Sequence, residues 1–207
     1  PYPRWRCIYD YAPINFISLI NNQIKPNQID CQKRFKYPSV LIAGCGTGSH
    51  AIAATRYKNA NILGVDLSLN SLSYAKRKIK ELGFKNIDFL HADILQLKRL
   101  NRKFDIIESL GTLHHMKDPV KGIKVLLSIL EPHGFIKLGL YSNLARKEVV
   151  ELKELIKDKK IKNTNKDIKI FRQLIINQKR NSLSQNITSS NDFFSTSSVR
   201  DLLFHTQ

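Results

Sequence analysis

The chain has 207 residues and a formal net charge of +17, from 34 Lys and Arg against 17 Asp and Glu. That length suits one α/β domain with added elements better than two full domains, and 42% hydrophobic with 25% charged residues is ordinary globular usage, which excludes a disordered chain. No apolar run approaches the ~18 residues of a membrane-spanning helix, and three cysteines without C-x-x-C spacing, Cys7, Cys31 and Cys45, make neither a disulfide framework nor a cysteine zinc site and suit a reducing cytoplasm.

Residues 1–37 are mixed and punctuated by proline, with no apolar signal core. They are expected to form an N-terminal capping segment whose stretch Ala12 to Ile24 is a helix, because Ile14, Ile17, Ile20 and Ile24 recur at helical spacing. From residue 38 to 143, short apolar runs alternate with helical patterns, as repeated β-α units around a mostly parallel sheet require. SVLIAG, Ser39 to Gly44, is the first predicted strand, Ser49 to Tyr57 a helix, and NILGVD, ending at Asp66, the second strand. SLSYAKRKIKELG is a helix stopped by Gly83, NIDFLHAD a third strand ending near Asp93, and KFDIIES a fourth. Pro119 to Leu130 is a helix, and after a turn at Pro132-His133-Gly134 the run GFIKLGLY is the fifth strand.

Residues 144–207 read as a helical segment outside the sheet, strongly basic to about Arg180 and Ser/Asn-rich from Asn181 to Phe194. Ser198 and Asp201 have capping-box spacing, which predicts a last helix over Val199 to His205. The chain opens on Pro1 and closes inside an unfinished helix, so it is expected to be a segment of a longer protein. The positive charge raises nucleic acid as a partner. Its basic residues are scattered rather than interleaved with aromatics, and the Lys, Ile and Asn crowding of INNQIKPNQID or IKDKKIKNTNKDIKI is what AT-rich coding produces.

The chemistry gathers where the first strand runs into Gly44-Cys45-Gly46-Thr47-Gly48 and then a helix. A strand, a glycine loop and a helix N-terminus bring backbone close to whatever lies at the sheet's edge. A dinucleotide fingerprint wants a third glycine where Ser49 stands, whereas Gly48 completes G-x-G-x-G. This disfavours an NAD-linked oxidoreductase and favours an adenosyl cofactor without a pyrophosphate. Asp66, ending the second strand, can accept hydrogen bonds from both ribose hydroxyls, and Asp93 puts a second carboxylate at the cleft, suited to an adenine amine.

These residues resemble the class I S-adenosylmethionine-dependent methyltransferases, a doubly wound Rossmann-like fold. The resemblance spans Ser39 to Ser142 and rests on VLIAGCGTGSH, LGVDLS, HAD, FDIIESLGTLHHMKDP and LEPHGFIKLGLYS in order. PYPRW, LGLYSNLARKEVV and FFSTSSVRDLLFH are further similar to bacterial methyltransferase domains fused to tetratricopeptide repeats. The resemblance implies S-adenosylmethionine as cofactor, with Gly44, Gly46 and Gly48 at its methionine moiety, Asp66 at the ribose, Asp93 with Ile94 at the adenine, Glu108, Ser109 and Leu110 along it at the fourth strand's end, and Ala43, Cys45 and Leu67 as further cofactor-binding residues. It also implies a lid after the fifth strand, with Leu144 to Phe194 touching the acceptor, and two closing strands that are not visible by Gln207. Pro132-His133-Gly134 departs from the usual Pro-Gly-Gly.

Methyl transfer from a sulfonium needs alignment and no metal. Where the acceptor oxygen or nitrogen carries a proton a base is required, and His114 and His115 are the sequence candidates. Tyr141 and Ser142 are candidates to face the acceptor. The Asn/Asp-Pro-Pro-Tyr and Pro-Cys motifs of nucleic acid base methylation are missing. The expected function is methyl transfer to an oxygen, nitrogen or carbon of a small molecule or pendant group, with a non-catalytic scaffold domain and an RNA-directed enzyme as alternatives.

Overall fold

The structure, a computed structural model, describes residues 12–23, 35–140, 142, 147–177, 188 and 191–204. The chain divides into two compact units, Pro1–Leu140 and Tyr141–Gln207.

The first unit holds a five-stranded, all-parallel sheet: β1 Ser39–Ala43, β2 Asn61–Asp66, β3 Ile87–His91, β4 Phe104–Leu110 and β5 Leu130–Gly139, in the order β3-β2-β1-β4-β5. A parallel sheet buries both faces, so its central strands carry apolar residues at consecutive positions. In β1, Val40 and Ile42 enter one cluster with Phe16, Ile17, Phe35, Tyr57 and Ile106, while Leu41 and Ala43 enter the other with Val65, Ile107, Leu113 and Leu126.

The helices follow from local capping. The helix α1, Phe16–Gln23, opens at Asn15, whose Oδ1 accepts from the amides of Ile17 and Ser18. Ile14 of the expected leading helix therefore lies outside it and pairs instead with Tyr57 as a parallel bridge; Ile24 lies outside the described residues. That bridge also shortens the helix predicted to reach Tyr57. The helix α2, Ser49–Ala53, passes into a 3-10 turn at Ala54–Arg56, and Tyr57 is extended. The helix α3, Leu69–Glu81, is capped by Ser68 and presents Leu72, Ala75 and Ile79 to the core, and α4, Pro119–Ser128, starts on an Asp118 cap with proline in its first turn.

Two strand ends differ from expectation. β3 stops at His91, because Asp93 turns to cap the 3-10 stretch Ile94–Leu100. β5 begins at Leu130, before Pro132-His133-Gly134, and absorbs that triplet as a bulge: its register passes from Phe104↔Leu130 directly to Ile106↔Phe135. His133 sits at φ 65° within it, and the loss of a proline donor costs little in a bulge on the last strand.

In the second unit, α5, Lys147–Asp158, and α6, Asn165–Asn177, share a small core with α7, Asn191–Phe194, α8, Thr196–Val199, and a π-helical turn, Arg200–Phe204. Ile156, Ile168, Phe171, Phe193, Val199 and Leu203 are buried there. The Ser198 capping box is not formed, since the chain is already helical from Thr196, where Ser195 accepts from the amides of Ser198 and Val199. His205 and most of 178–190 lie outside the described residues.

Candidate functional site

The site is built at the carboxyl ends of β1, β2 and β4, where the order β3-β2-β1-β4-β5 reverses direction between β1 and β4. Open α/β sheets bind ligands at such a switch point.

The glycine loop is held by its own neighbours. The amides of Gly44 and Cys45 both donate to the Val65 carbonyl, at 2.8 and 2.9 Å, and that of Gly48 to the Cys45 carbonyl at 2.9 Å. The Gly46 amide donates to Asp66 Oδ2 at 2.7 Å. With four amides at 44, 45, 46 and 48 committed inside the protein, the loop offers close van der Waals approach rather than an array of donors for a pyrophosphate. From β4, Ser109 Oγ donates to the Ala43 carbonyl at 3.0 Å and Thr112 Oγ1 to the Gly44 carbonyl at 3.2 Å. Sequence reasoning missed Thr112; its signal is steric, since Gly44 has φ 81° and a Cβ built on it would stand 2.1 Å from Thr112 Oγ1. Gly48, at φ 92°, begins α2.

Asp66 does more than the sequence implies. Its Oδ1 accepts from the Ser68 amide at 2.8 Å while Oδ2 takes Gly46, so the carboxylate is fixed before any ligand arrives. Each oxygen keeps a further lone pair for a ribose hydroxyl. Leu67 beside it is 67% exposed, an apolar wall facing solvent at the strand end, and its carbonyl is bonded to His91 Nε2. Asp93 Oδ1 accepts from the Leu95 amide at 2.9 Å. Ile94 is buried in the second core cluster.

Cys45 contributes backbone alone. Its side chain is buried in the first core cluster, and burial, with the charge of Asp66 as a lesser cause, pushes its thiol up to about 12. A protonated thiol is no nucleophile. Leu110, the last residue of β4, pairs with Gly139. His114 and His115 form a 3-10 turn after β4, with ring centroids 4.1 Å apart and His114 buried. Glu108 is also buried, and its Oε1 is held by the Tyr57 hydroxyl and by Arg56; sequence reasoning did not connect these three. Tyr141 lies outside the described residues. Among the described residues no group of three or more His, Cys, Asp or Glu is placed to hold a metal, and no helix is long and apolar enough to cross a membrane.

This geometry suits an adenosyl ligand, and residues 36–193 match the family described as a methyltransferase domain. The chain belongs to that family. Its sheet and flanking helices have the class I, S-adenosylmethionine-dependent methyltransferase arrangement. It is 31% identical over 130 residues to ubiquinone biosynthesis O-methyltransferase of Coxiella burnetii, covering 63% of this chain and 53% of that protein. It is 33% identical over 89 residues to a probable (S)-tetrahydroprotoberberine N-methyltransferase of Papaver bracteatum, covering 42% of this chain and 25% of that protein. The chain thus spans about a quarter to a half of these relatives. Among solved structures, PKMT2 from Rickettsia typhi in complex with AdoHcy aligns with a TM-score of 0.59 at 23% identity over 84% of this chain and 34% of that one, which shows the shared fold. The likeness to domains fused to tetratricopeptide repeats is not borne out by these comparisons.

Proposed function

We propose that this chain binds S-adenosylmethionine in the β1–β2 crevice and transfers its methyl group to an oxygen, nitrogen or carbon of a small molecule or pendant group, in a reducing cytoplasm. The observation that carries the reading is the pairing of a glycine loop whose amides are already spent with an Asp66 that is anchored yet has lone pairs left. A pyrophosphate wants the first unspent; ribose hydroxyls want the second.

In this reading the backbone from Ala43 to Gly48 flanks the methionine moiety, Asp66 accepts from the ribose hydroxyls, and Leu67 covers the sugar. Asp93, with Oδ1 fixed by its cap, turns Oδ2 to the adenine amine, and Ile94 fixes the start of the following turn. The bound cofactor supplies a methyl group already activated as a sulfonium. What the chain supplies is alignment, which is worth ~7–11 kcal/mol in well-oriented reactions. Ser109 and Thr112 serve it by holding the loop's carbonyls, and Leu110 ends the strand that carries them. His114 and His115 are the histidines nearest in sequence to the β4 end should the acceptor need a base.

The test is calorimetric titration of the chain with S-adenosylmethionine, S-adenosylhomocysteine and NADH, with Asp66→Ala as control. Adenosyl binding that disappears in the variant is expected; preferential NADH binding overturns the reading.

A further inference from the structure

The strands of the sheet are all parallel, so every one begins at the same end of the first unit, opposite Asp66 and the glycine loop. Exposed basic residues stand within three positions of four strand starts: Lys85 before β3, Lys58 before β2, Lys36 before β1, and Arg102 with Lys103 before β4. The sheet order β3-β2-β1-β4 sets these starts side by side, one strand spacing of ~4.8 Å apart, and so gathers into one row cations that are scattered along the sequence. Among the described residues none of the five is in an ion pair. The acids of this end are Asp88, Asp105 and Glu131, the second residues of β3, β4 and β5, and Asp105 is spent on Ser39, whose amide and hydroxyl both donate to its Oδ2. Lys78, Lys80, Lys98 and Arg99 complement the last carbonyls of α3 and of the Ile94–Leu100 turn; the row itself lies beyond the helices, where that explanation does not reach. An aromatic ring stands within it. Tyr37, between Lys36 and β1, is 65% exposed, with Lys36 Nζ 5.5 Å from its ring centre. Among the described residues of the first unit it is the one exposed Phe, Tyr or Trp.

We propose that this amino end of the sheet binds single-stranded nucleic acid, the five cations meeting successive phosphates and Tyr37 stacking on a nucleobase. A basic track with an exposed ring in it is what an unpaired strand requires, and every nucleobase supplies the π-face. A lipid surface suits the row less, because it needs exposed aliphatic side chains among the cations. The most exposed of those in this unit, Leu67 and Leu69, stand at the opposite, carboxyl end, after β2 and at the start of α3. The six residues of β2 separate the row from Asp66, a distance of roughly 20 Å. The bound strand is therefore held away from the crevice. It tethers the unit to a nucleic acid and is not the methyl acceptor, and its binding is independent of what the crevice takes.

The experiment titrates the whole chain into a fluorescein-labelled oligouridylate of about twelve nucleotides, read by anisotropy between about 50 and 200 mM salt. Wild type is expected to bind with a steep salt dependence. The combined variant Lys36→Gln, Lys58→Gln, Arg102→Gln, Lys103→Gln should bind about tenfold or more weakly, with the slope of log K against log salt flattened by about 2–3, at ~0.7 per phosphate contact. Tyr37→Ala should weaken binding about fivefold or more at an unchanged slope, because stacking releases no counterion. A control with the same change in charge, Lys157→Gln, Lys159→Gln, Lys162→Gln, Lys166→Gln in the second unit, should stay within about twofold of wild type. Equal losses in the control and the combined variant would reduce the effect to net charge and overturn the proposal, as would no binding by wild type, or wild-type affinity in Tyr37→Ala. Vesicles of phosphatidylserine and phosphatidylcholine are the second probe; tighter binding to them than to the oligouridylate, lost in the combined variant, overturns nucleic acid in favour of lipid. Circular dichroism checks folding. Should the combined variant fail to fold, Lys58→Gln alone is expected to flatten the slope by about 0.7, and an unchanged slope overturns the proposal.

Discussion

The two sides of the crevice are built by different means. On the β1–β2 side the backbone dominates: three loop amides meet main-chain carbonyls, and one carboxylate, Asp66, collects the remaining loop amide at Gly46 and that of Ser68. On the β4 side the work falls to side chains far apart in sequence, with Tyr57 reaching Glu108 across 51 positions. A backbone cradle tolerates little change and recurs wherever its ligand does; a side-chain cluster can be retuned residue by residue.

The largest expected effect breaks the backbone side. Gly44→Ala forces a Cβ to 2.1 Å from Thr112 Oγ1 at φ 81°, combining overpacking of ~1–3 kcal/mol with a left-handed penalty of ~1–2 kcal/mol. Urea unfolding should show a loss of about 3 kcal/mol or more. Thr112→Gly in the Gly44→Ala background should return the steric part alone, so the double-mutant cycle with both single variants gives a favourable coupling. A Gly44→Ala variant as stable as wild type would mean that the loop is not held against β4.

Next comes Asp66. Removing two hydrogen bonds to a charged group, each contributing ~1.5–3 kcal/mol, should weaken S-adenosylhomocysteine about a hundredfold or more in Asp66→Ala, measured by calorimetry with circular dichroism as the check on folding. Asp66→Asn sharpens the point. Its amide nitrogen replaces an acceptor with a donor where both Gly46 and Ser68 present N–H groups, so it should recover little. Substantial recovery would show that Asp66 serves the ligand and not the loop.

The first side was legible in the sequence for a physical reason. A glycine loop, a strand-ending carboxylate and their twenty-residue separation are consequences of backbone geometry within one β-α-β unit, and VLIAGCGTGSH with Asp66 records them directly. The succession of strands and helices around a parallel sheet followed from the alternation of apolar runs with helical patterns. What could not be read were contacts that depend on three-dimensional register. Pro132-His133-Gly134 has the composition of a turn, yet β4 holds it inside a strand as a bulge. Tyr57 fitted the end of a helical pattern, but its bridge to Ile14 draws it into extended backbone and sends its hydroxyl to Glu108. Asp66's grip on the Gly46 amide was equally hidden, because a hydrogen bond to the ligand and one to the loop use the same residue type.

A smaller effect tests the side-chain half. Tyr57→Phe deletes the hydroxyl that meets Glu108 without altering the ring that packs on Phe16. The loss of a hydrogen bond to a buried carboxylate should cost about 1.5–3 kcal/mol in urea unfolding and leave S-adenosylhomocysteine affinity unchanged. Coupled loss of cofactor binding would erase the distinction between the two sides.

The smallest effect is a pH dependence at His50. Burial holds its folded pKa below the ordinary histidine value of 6.5, so below that value the unfolded chain binds a proton that the folded chain does not. Stability from this group is therefore complete above pH 6.5 and falls as the pH drops through the window between 6.5 and the lower folded pKa. Glu108 opposes the shift and Lys137 reinforces it. Urea midpoints at pH 7.5 and about pH 5.5, chosen to bracket the histidine range, should separate more in wild type than in His50→Gln. In Glu108→Gln the separation should widen, because the neighbour that raises the histidine pKa is gone. Equal separations in all three proteins would place His50 outside the reach of the Glu108 carboxylate.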